Sequence, residues 1–110
     1  MAARADMVID QGTTFETVVT VTDTNGDVVD LTGYTANSQI RKHATSSNAT
    51  ATFGISNGGT NGQLTLSLAH AYTSAIGAGR YVYDVEVLSG AGVRSRVVEG
   101  IVTVSPEVTR

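Results

Sequence analysis

The sequence predicts an all-β fold, an antiparallel sandwich or barrel built from seven to nine short strands. Three observations lead to this prediction. β-branched and apolar residues alternate with polar ones over several segments, turn signals rich in glycine and asparagine recur at roughly ten-residue spacing, and twelve glycines stand against one proline. Residues 71–76 are the one helix-compatible segment, and the glycines that follow limit it to one or two turns.

The first part of the chain has the pattern of a hairpin. β-branched and aromatic residues alternate with others through residues 13–23, which predicts a strand. Asn25-Gly26 follows, and this pair predicts a hairpin turn because both residues tolerate positive φ. We expect residues 28–31 to form the short returning strand.

The segment DLTGYT at residues 30–35 predicts a corner between two sheets. We expect the carboxylate of Asp30 to cap or turn the chain, and Leu31 to fill the edge of the core. Gly33 would allow a bend or bulge where a Cβ would clash, and Tyr34 would lay its ring over the core with its hydroxyl outward. The next strand, residues 35–41, would then pair in the other sheet.

The remaining strands are predicted from alternation and from the turns between them. Their expected ranges are residues 35–41, 50–55, 63–70, 80–88, 93–99 and 101–104. Tyr81 and Tyr83 share one face of the long strand. Gly100 is expected to form a bulge that separates the last two strands, and Pro106 is expected to end the pairing because proline has no N–H to donate.

Length and charge limit the organisation and the partners. The 110 residues contain no linker, so we expect one domain over residues 1–110, with an extended N-terminal arm at about 1–10 and a C-terminal tail at about 105–110. Charged residues make up 15% of the chain, the net charge is −3 and the basic residues are scattered. We therefore expect no nucleic-acid partner, and no membrane partner, since no apolar run approaches the ~20 residues that span a bilayer.

No pattern in the sequence predicts catalysis, a metal site or a cofactor site, and we expect a non-enzymatic protein. Neither His43 nor His70 has a neighbour that suggests a base or a metal pair. Residues 23–27 resemble the start of a calcium loop. The twelfth position of such a loop is Tyr34 here, and not the bidentate acid that calcium requires.

Asp84 and Glu86 share one face of the strand at 80–88, and a carboxylate pair can serve acid–base catalysis. We expect them instead to face solvent, a subunit neighbour, or Arg94 and Arg96 on the following strand, since cross-strand ion pairs are common and weak. The pair is therefore not predicted to be catalytic.

Several segments carry a resemblance to one group of proteins. They are IDQGTTF at residues 9–15, DLTGYT at 30–35, QIR at 39–41, AGRYVYD at 78–84 and the C-terminal run at 99–110. These segments resemble small virion proteins of tailed phages, in particular the immunoglobulin-like N-terminal domain of baseplate upper proteins of phages that infect Gram-positive hosts. The likeness extends over nearly the whole chain, and it implies an immunoglobulin-like β-sandwich that serves as an attachment module.

The resemblance also implies a role and a set of partners. We expect a virion structural protein, either an accessory tail or baseplate component or a fibre-attachment module. Its partners would be tail, baseplate, fibre or major capsid proteins, and it would be a homo-oligomer or be present in multiple copies in the particle. Because the sequence does not continue into the helical neck and fibre of that family, we expect a stand-alone module.

Two alternatives stay open on the sequence. A protein that decorates the capsid would have the same low charge and the same surface rich in Thr, Ser, Asn and Gly. A carbohydrate-binding module for the host surface would need two or more exposed aromatic residues on one face, and the candidates are Tyr34, Tyr72, Tyr81 and Tyr83.

Three surfaces are the candidate interfaces, and each contributes two residues. These residues are Arg4, Asp6, Arg94, Arg96, Pro106 and Arg110. The first two lie in the arm, which we expect to pair with a neighbour or lie across it. The next two would meet acidic partners, and the last two would keep the tail extended and anchor it.

Overall fold

A computed structural model describes residues 3–23 and 25–108, and two β-sheets pack there as a sandwich. The all-β prediction is confirmed. The strands are, in chain order, β1 (Ala3–Arg4), β2 (Met7–Asp10), β3 (Phe15–Thr20), β4 (Thr35–Arg41), β5 (Ala51–Thr52), β6 (Gly54–Asn57), β7 (Gln63–Leu68), β8 (Gly79–Leu88) and β9 (Arg94–Ser105). A 3-10 turn (Gly59–Asn61) precedes β7, and one short helix, α1 (His70–Ser74), follows it. Neither of these helical segments is long and apolar enough to cross a membrane.

The two sheets differ in size and in the direction of their strands. The first sheet has the order β1-β9-β8-β4-β5, and β2 also pairs with β9. The second sheet has the order β3-β7-β6. Between the described strands all pairs are antiparallel except those of β1 and β2, which run parallel to β9. The parallel pairs were not predicted, because alternation with a period of two is the same for both directions.

The core lies between the sheets, and alternation decides which side chains enter it. Strands β4, β7 and β8 lie close to their predicted ranges, and every second side chain of β7 and β8 is buried. The buried apolar residues are Ile9, Val21, Leu31, Ile40, Phe53, Leu64, Leu66, Leu68, Ile76, Tyr81, Tyr83, Val85, Val87, Val98, Val102 and Val104. Both sheets contribute to this set, so a single core stabilises the domain.

The turn at Asn25-Gly26 forms as predicted, although with a different backbone. The Gly26 N–H donates to the Asp23 carbonyl at 3.0 Å, and the Asp23 N–H donates to the Asp27 carbonyl at 2.8 Å. Gly26 has a φ of +84°, whereas Asn25 does not have positive φ. The Asn25 N–H instead donates to the carboxylate of Asp23 at 2.9 Å, which orders the turn without a left-handed asparagine.

The prediction of a returning strand over residues 28–31 is wrong. This part of the chain forms only one isolated bridge, between Thr22 and Val28. Further along, the Leu31 N–H donates to the Gly59 carbonyl at 2.9 Å. The backbone of this segment is thus directed toward the 3-10 turn, and no hairpin ladder can continue.

The strand predicted over residues 50–55 is divided between the two sheets. β5 pairs with β4 in the first sheet, and β6 pairs with β7 in the second. Phe53 lies at the crossing between them, is buried, and donates its N–H to the Ser38 carbonyl at 2.9 Å. Because the crossing residue is apolar and in phase with both strands, the sequence pattern did not show the division.

The prediction of a bulge at Gly100 is also wrong. Residues 94–105 form one continuous strand, and Gly100 pairs in register with Tyr83. The register shifts at Val97 instead, since Val98 lies opposite Val85 whereas Arg96 lies opposite Glu86. Glycine is needed at position 100 because the N-terminal arm passes too close for a side chain.

The DLTGYT segment carries the chain from the second sheet to the first. The Asp30 carboxylate accepts hydrogen bonds from the Thr32 hydroxyl at 2.6 Å and the Thr32 N–H at 2.9 Å, and these bonds lower the pKa of Asp30. Leu31 is fully buried, Gly33 has a φ of +81°, and Tyr34 is half-buried against the core. The positive φ, and not a steric restriction, favours glycine here, because the space around Gly33 is open.

Candidate interaction surfaces

The N-terminal arm is an edge strand of the domain's own first sheet. Ala3 lies opposite Val98 in the parallel register, and Met7 lies opposite Val102. Ile9 points into the core and is fully buried. The expectation that the arm pairs with a neighbouring chain therefore concerns only its outer edge, since the inner edge is bonded to β9.

Between β1 and β2 the arm crosses Gly100 at very short range. The Ala5 N–H donates to the Glu99 carbonyl at 2.9 Å, and the Ile101 N–H donates to the Asp6 carboxylate at 2.9 Å. The Tyr83 hydroxyl also donates to the Ala5 carbonyl. A Cβ on Gly100 would overlap this carbonyl oxygen, so the absence of a side chain lets the arm lie on the sheet.

Arg4 and Asp6 form an ion pair within the arm. The Arg4 Nη2 atom lies 3.4 Å from the Asp6 Oδ1 atom, and both side chains are more than half exposed. Asp6 has a further role that the sequence did not predict, because its carboxylate accepts the N–H of Ile101. Asp6 is thus fixed by its own sheet, whereas Arg4 remains accessible on the surface.

Burial of the Tyr83 ring and its position beside the arm affect its ionisation. Burial disfavours the phenolate most, the carboxylate of Asp6 adds to this effect and Arg4 opposes it, and together they raise the pKa of Tyr83 to about 12. The ordinary value is 10.0. As the pH rises from 10 toward 12, the unfolded chain ionises at this position before the folded chain does, so stability is lost over that range.

We predict that Tyr83→Phe lowers the free energy of unfolding at pH 8 by about 1 kcal/mol, because the hydrogen bond to Ala5 is lost. The variant should also lose less stability than the wild type between pH 10 and pH 12. Urea unfolding at several pH values measures both effects. Tyr72→Phe is the matched control: the Tyr72 side chain is largely exposed, so the free energy of unfolding of this variant at pH 8 should stay within about 0.5 kcal/mol of the wild type. An identical alkaline profile for Tyr83→Phe and the wild type would contradict the prediction.

The predicted arginine face contains one paired arginine. Arg96 Nε lies 3.2 Å from Asp84 Oδ2, and Arg96 Nη1 lies 3.3 Å from Glu99 Oε2. Arg94 is exposed at the start of β9, opposite Leu88. Of the possibilities left open for Asp84, the ion pair with the following strand is the one present, and it partly neutralises the charge that Arg96 could offer to an acidic partner.

A groove of about 470 Å³ lies on the outer face of the first sheet beside this pair. Its charged lining residues are Arg4, Arg41, Asp84, Arg96 and Glu99. The Arg41 guanidinium donates to the Ser46 carbonyl at 2.9 Å and to the Gln39 side-chain oxygen at 2.8 Å. Arg41 is therefore bonded within the chain, whereas Arg4 and Arg96 form exposed ion pairs with carboxylates. The groove thus offers mixed charges and hydrogen-bonding groups.

The C-terminal tail is held by a residue that the sequence analysis did not single out. The Gln11 side-chain oxygen accepts the N–H of Glu107 at 3.0 Å, and its amide donates to the Ile76 carbonyl at 2.8 Å. Pro106 follows the last residue of β9, as predicted for a residue that ends pairing. Arg110 lies outside the described residues. The only sequence signal for Gln11 was its place in the IDQGTTF segment.

Two of the four tyrosines considered for a carbohydrate-binding face are buried in the domain. Tyr81 is 8% exposed and Tyr83 is 4% exposed. The Tyr81 hydroxyl donates to the Gly77 carbonyl at 2.7 Å, and Lys42 Nζ lies 4.7 Å from the centre of the Tyr81 ring. Tyr34 is half-buried against the core, and Tyr72 is exposed on α1. The two tyrosines that share a strand face, on which that alternative mainly depended, are therefore both buried.

The described residues contain no group of three His, Asp or Glu side chains that could hold a metal ion. His43 is exposed in the loop after β4, and His70 is exposed at the start of α1.

Comparisons with known proteins support the fold alone. No protein-family model matches the chain, and no curated protein matches it. Among solved structures, CopC from Methylosinus trichosporium OB3b is similar, with a TM-score of 0.51 and 16% identity over 100% of this chain and 90% of that chain. The R347E mutant of the SrpA adhesin from Streptococcus sanguinis is similar with a TM-score of 0.52 and 12% identity over 92% of this chain, and the match spans 55% of the adhesin chain. The domain is an immunoglobulin-like β-sandwich.

Proposed function

We propose that this protein is a non-enzymatic structural protein of a tailed-phage virion, an accessory tail or baseplate component or a fibre-attachment module. The resemblance of its segments to the N-terminal domain of baseplate upper proteins suggests the particle. The observation that carries the contact role is one open edge of β3. This strand of six residues pairs with β7 on one side, and its other side has no partner among the described strands. Such an edge can accept a strand from another chain.

Two further features support a contact role. Exposed valines lie on an edge strand of each sheet, Val8 on β2 and Val18 on β3. Charged residues are only 15% of the chain, so much of its surface can be covered by protein at a low cost in desolvation. Capsid decoration would use the same features and is an outcome of the test below.

The copy number of this chain in purified particles tests the proposal. Quantitative mass spectrometry against the major capsid and tail-tube proteins should give a few rings of about three, six or twelve copies, as a symmetric tail or baseplate requires. Copies that scale with the major capsid protein would assign the chain to the shell and contradict the tail location. Absence from particles would contradict the virion role altogether.

A further inference from the structure

The longest strand edge without a partner in the described structure belongs to β3. This strand of six residues pairs with β7 on one side only. The strands that border the other sheet edges are shorter, with two residues in β1 and β5 and four in β2 and β6. β6 is also partly covered, because the Asn57 amide donates to the Leu31 and Tyr34 carbonyls at 3.0 Å and 3.1 Å. β3 contains no proline, lysine or bulge, features that commonly block such an edge, and Glu16 is its one charged residue.

The hydrogen-bond pattern shows which backbone groups of β3 are free. The Val21 N–H donates to the Gly62 carbonyl at 2.8 Å, in line with β7. Every second residue of an antiparallel strand bonds to the same neighbour, so the odd-numbered residues of β3 also face β7. Glu16, Val18 and Thr20 therefore direct their N–H and C=O groups toward the open edge.

The side chains at this edge are less covered than those one strand further in. The inward residues of β3, beginning with Phe15, are only half-buried, whereas the leucines opposite them on β7 are buried. On the outer face Val18 is 51% exposed. A further strand along β3 would bury both sets and satisfy the free backbone groups in one step.

We propose that β3 of a second copy of this chain fills the edge, antiparallel and about a two-fold axis at Val18. The two three-stranded sheets then join into one sheet of six strands. In this register Glu16 lies opposite Thr20 of the second copy, so the two carboxylates stay apart, and each exposed valine covers the other. Two-fold symmetry is also the commonest arrangement of homo-oligomers. This inference deepens the proposed function by naming one partner, and it rests on the contact role and not on a place in a particle.

Light scattering after size exclusion is the first measurement, and it should give a mass twice that of the 110-residue chain. The chain contains no cysteine, so one introduced thiol gives an unambiguous cross-link. Val18→Cys should oxidise to a disulfide-linked dimer, since an antiparallel hydrogen-bonded pair places its Cα atoms ~5.5 Å apart, within disulfide range. Val8→Cys is the matched control, an exposed valine on the edge strand β2, and it should give no cross-link above background.

Val18→Pro tests the same edge without a thiol. It removes an N–H that points away from β7, so the fold should be kept and the dimer lost. Circular dichroism and light scattering report the two properties separately. A monomeric wild type, or a dimer that survives Val18→Pro and gives no Val18→Cys cross-link, would overturn the inference.

The remaining outcomes separate this inference from the proposed function. A monomer that contacts a different virion protein through β3 would assign the edge to that protein and overturn the second copy as occupant. A dimer through β3 in a protein that is absent from particles would overturn the virion role and leave the inference standing.

Discussion

Gly62→Ala is expected to lower the free energy of unfolding by about 3 to 4 kcal/mol, the largest loss among the substitutions that we predict. Gly62 has a φ of +66°, which an alanine adopts only with strain. The added Cβ would also overlap the Val28 side chain and lie 2.8 Å from the Val29 carbonyl oxygen. The valine can rotate, but the carbonyl belongs to the backbone that follows the first hairpin turn. Chemical denaturation followed by circular dichroism measures the loss.

Gly33→Ala is the matched control for Gly62→Ala. Gly33 has a similar φ of +81°, but nothing lies within 4 Å of the position of an added Cβ. Its substitution should therefore cost only the backbone strain, about 1 to 2 kcal/mol. The difference between the two variants isolates the steric part. Equal losses would contradict the prediction that contact with the segment around Val29 is the larger part at Gly62.

Gly100→Ala is expected to lower the free energy of unfolding by about 3 kcal/mol by displacing the N-terminal arm. The added Cβ would overlap the Ala5 carbonyl oxygen and lie 2.7 Å from the carbonyl carbon. Because Gly100 is in the middle of β9, the arm must move, and it then loses the bonds from Tyr83 and Ile101. Hydrogen exchange should show faster exchange at Ala5 and Ile101, and chemical denaturation gives the total loss.

Gly90→Ala is the control for Gly100→Ala. Gly90 does not have positive φ, and the nearest atom to an added Cβ is the Gly33 carbonyl oxygen at 3.9 Å, an ordinary contact. Its stability should be within about 0.5 kcal/mol of the wild type. Normal exchange at Ala5 in Gly100→Ala would show that the arm does not depend on the missing side chain.

The arm and the open edge of β3 are two consequences of the same arrangement. The arm pairs with β9 in the first sheet, and the chain then crosses to β3 in the second sheet. Gln11 and Thr13 fix this crossing, since Gln11 donates to the Ile76 carbonyl and the Thr73 hydroxyl donates to the Thr13 carbonyl at 2.7 Å. The arm therefore does not also cover β3, and one edge of β3 has no partner strand in the described part of the chain.

The sequence by itself determined the strands whose side chains alternate. β4, β7 and β8 were predicted with nearly their observed bounds, because a period of two depends only on neighbouring residues. The same local logic placed Leu31 in the core and a turn at Asn25-Gly26. It also offered an arginine of the next strand as one of the possible partners of Asp84, and the structure has that pair.

The tertiary structure decided the parts that depend on residues far apart in the chain. A glycine in a strand is compatible with a bulge or with a close approach of another backbone. At Gly100 the structure has the close approach, because the N-terminal arm packs there, as in the bond between Asp6 and Ile101, which are 95 residues apart. The bridge from Gln11 to Glu107, 96 residues apart, leaves no local pattern at either end. The open edge of β3 likewise follows from where the arm pairs, because strand pairing is a long-range choice that alternation within one strand does not contain.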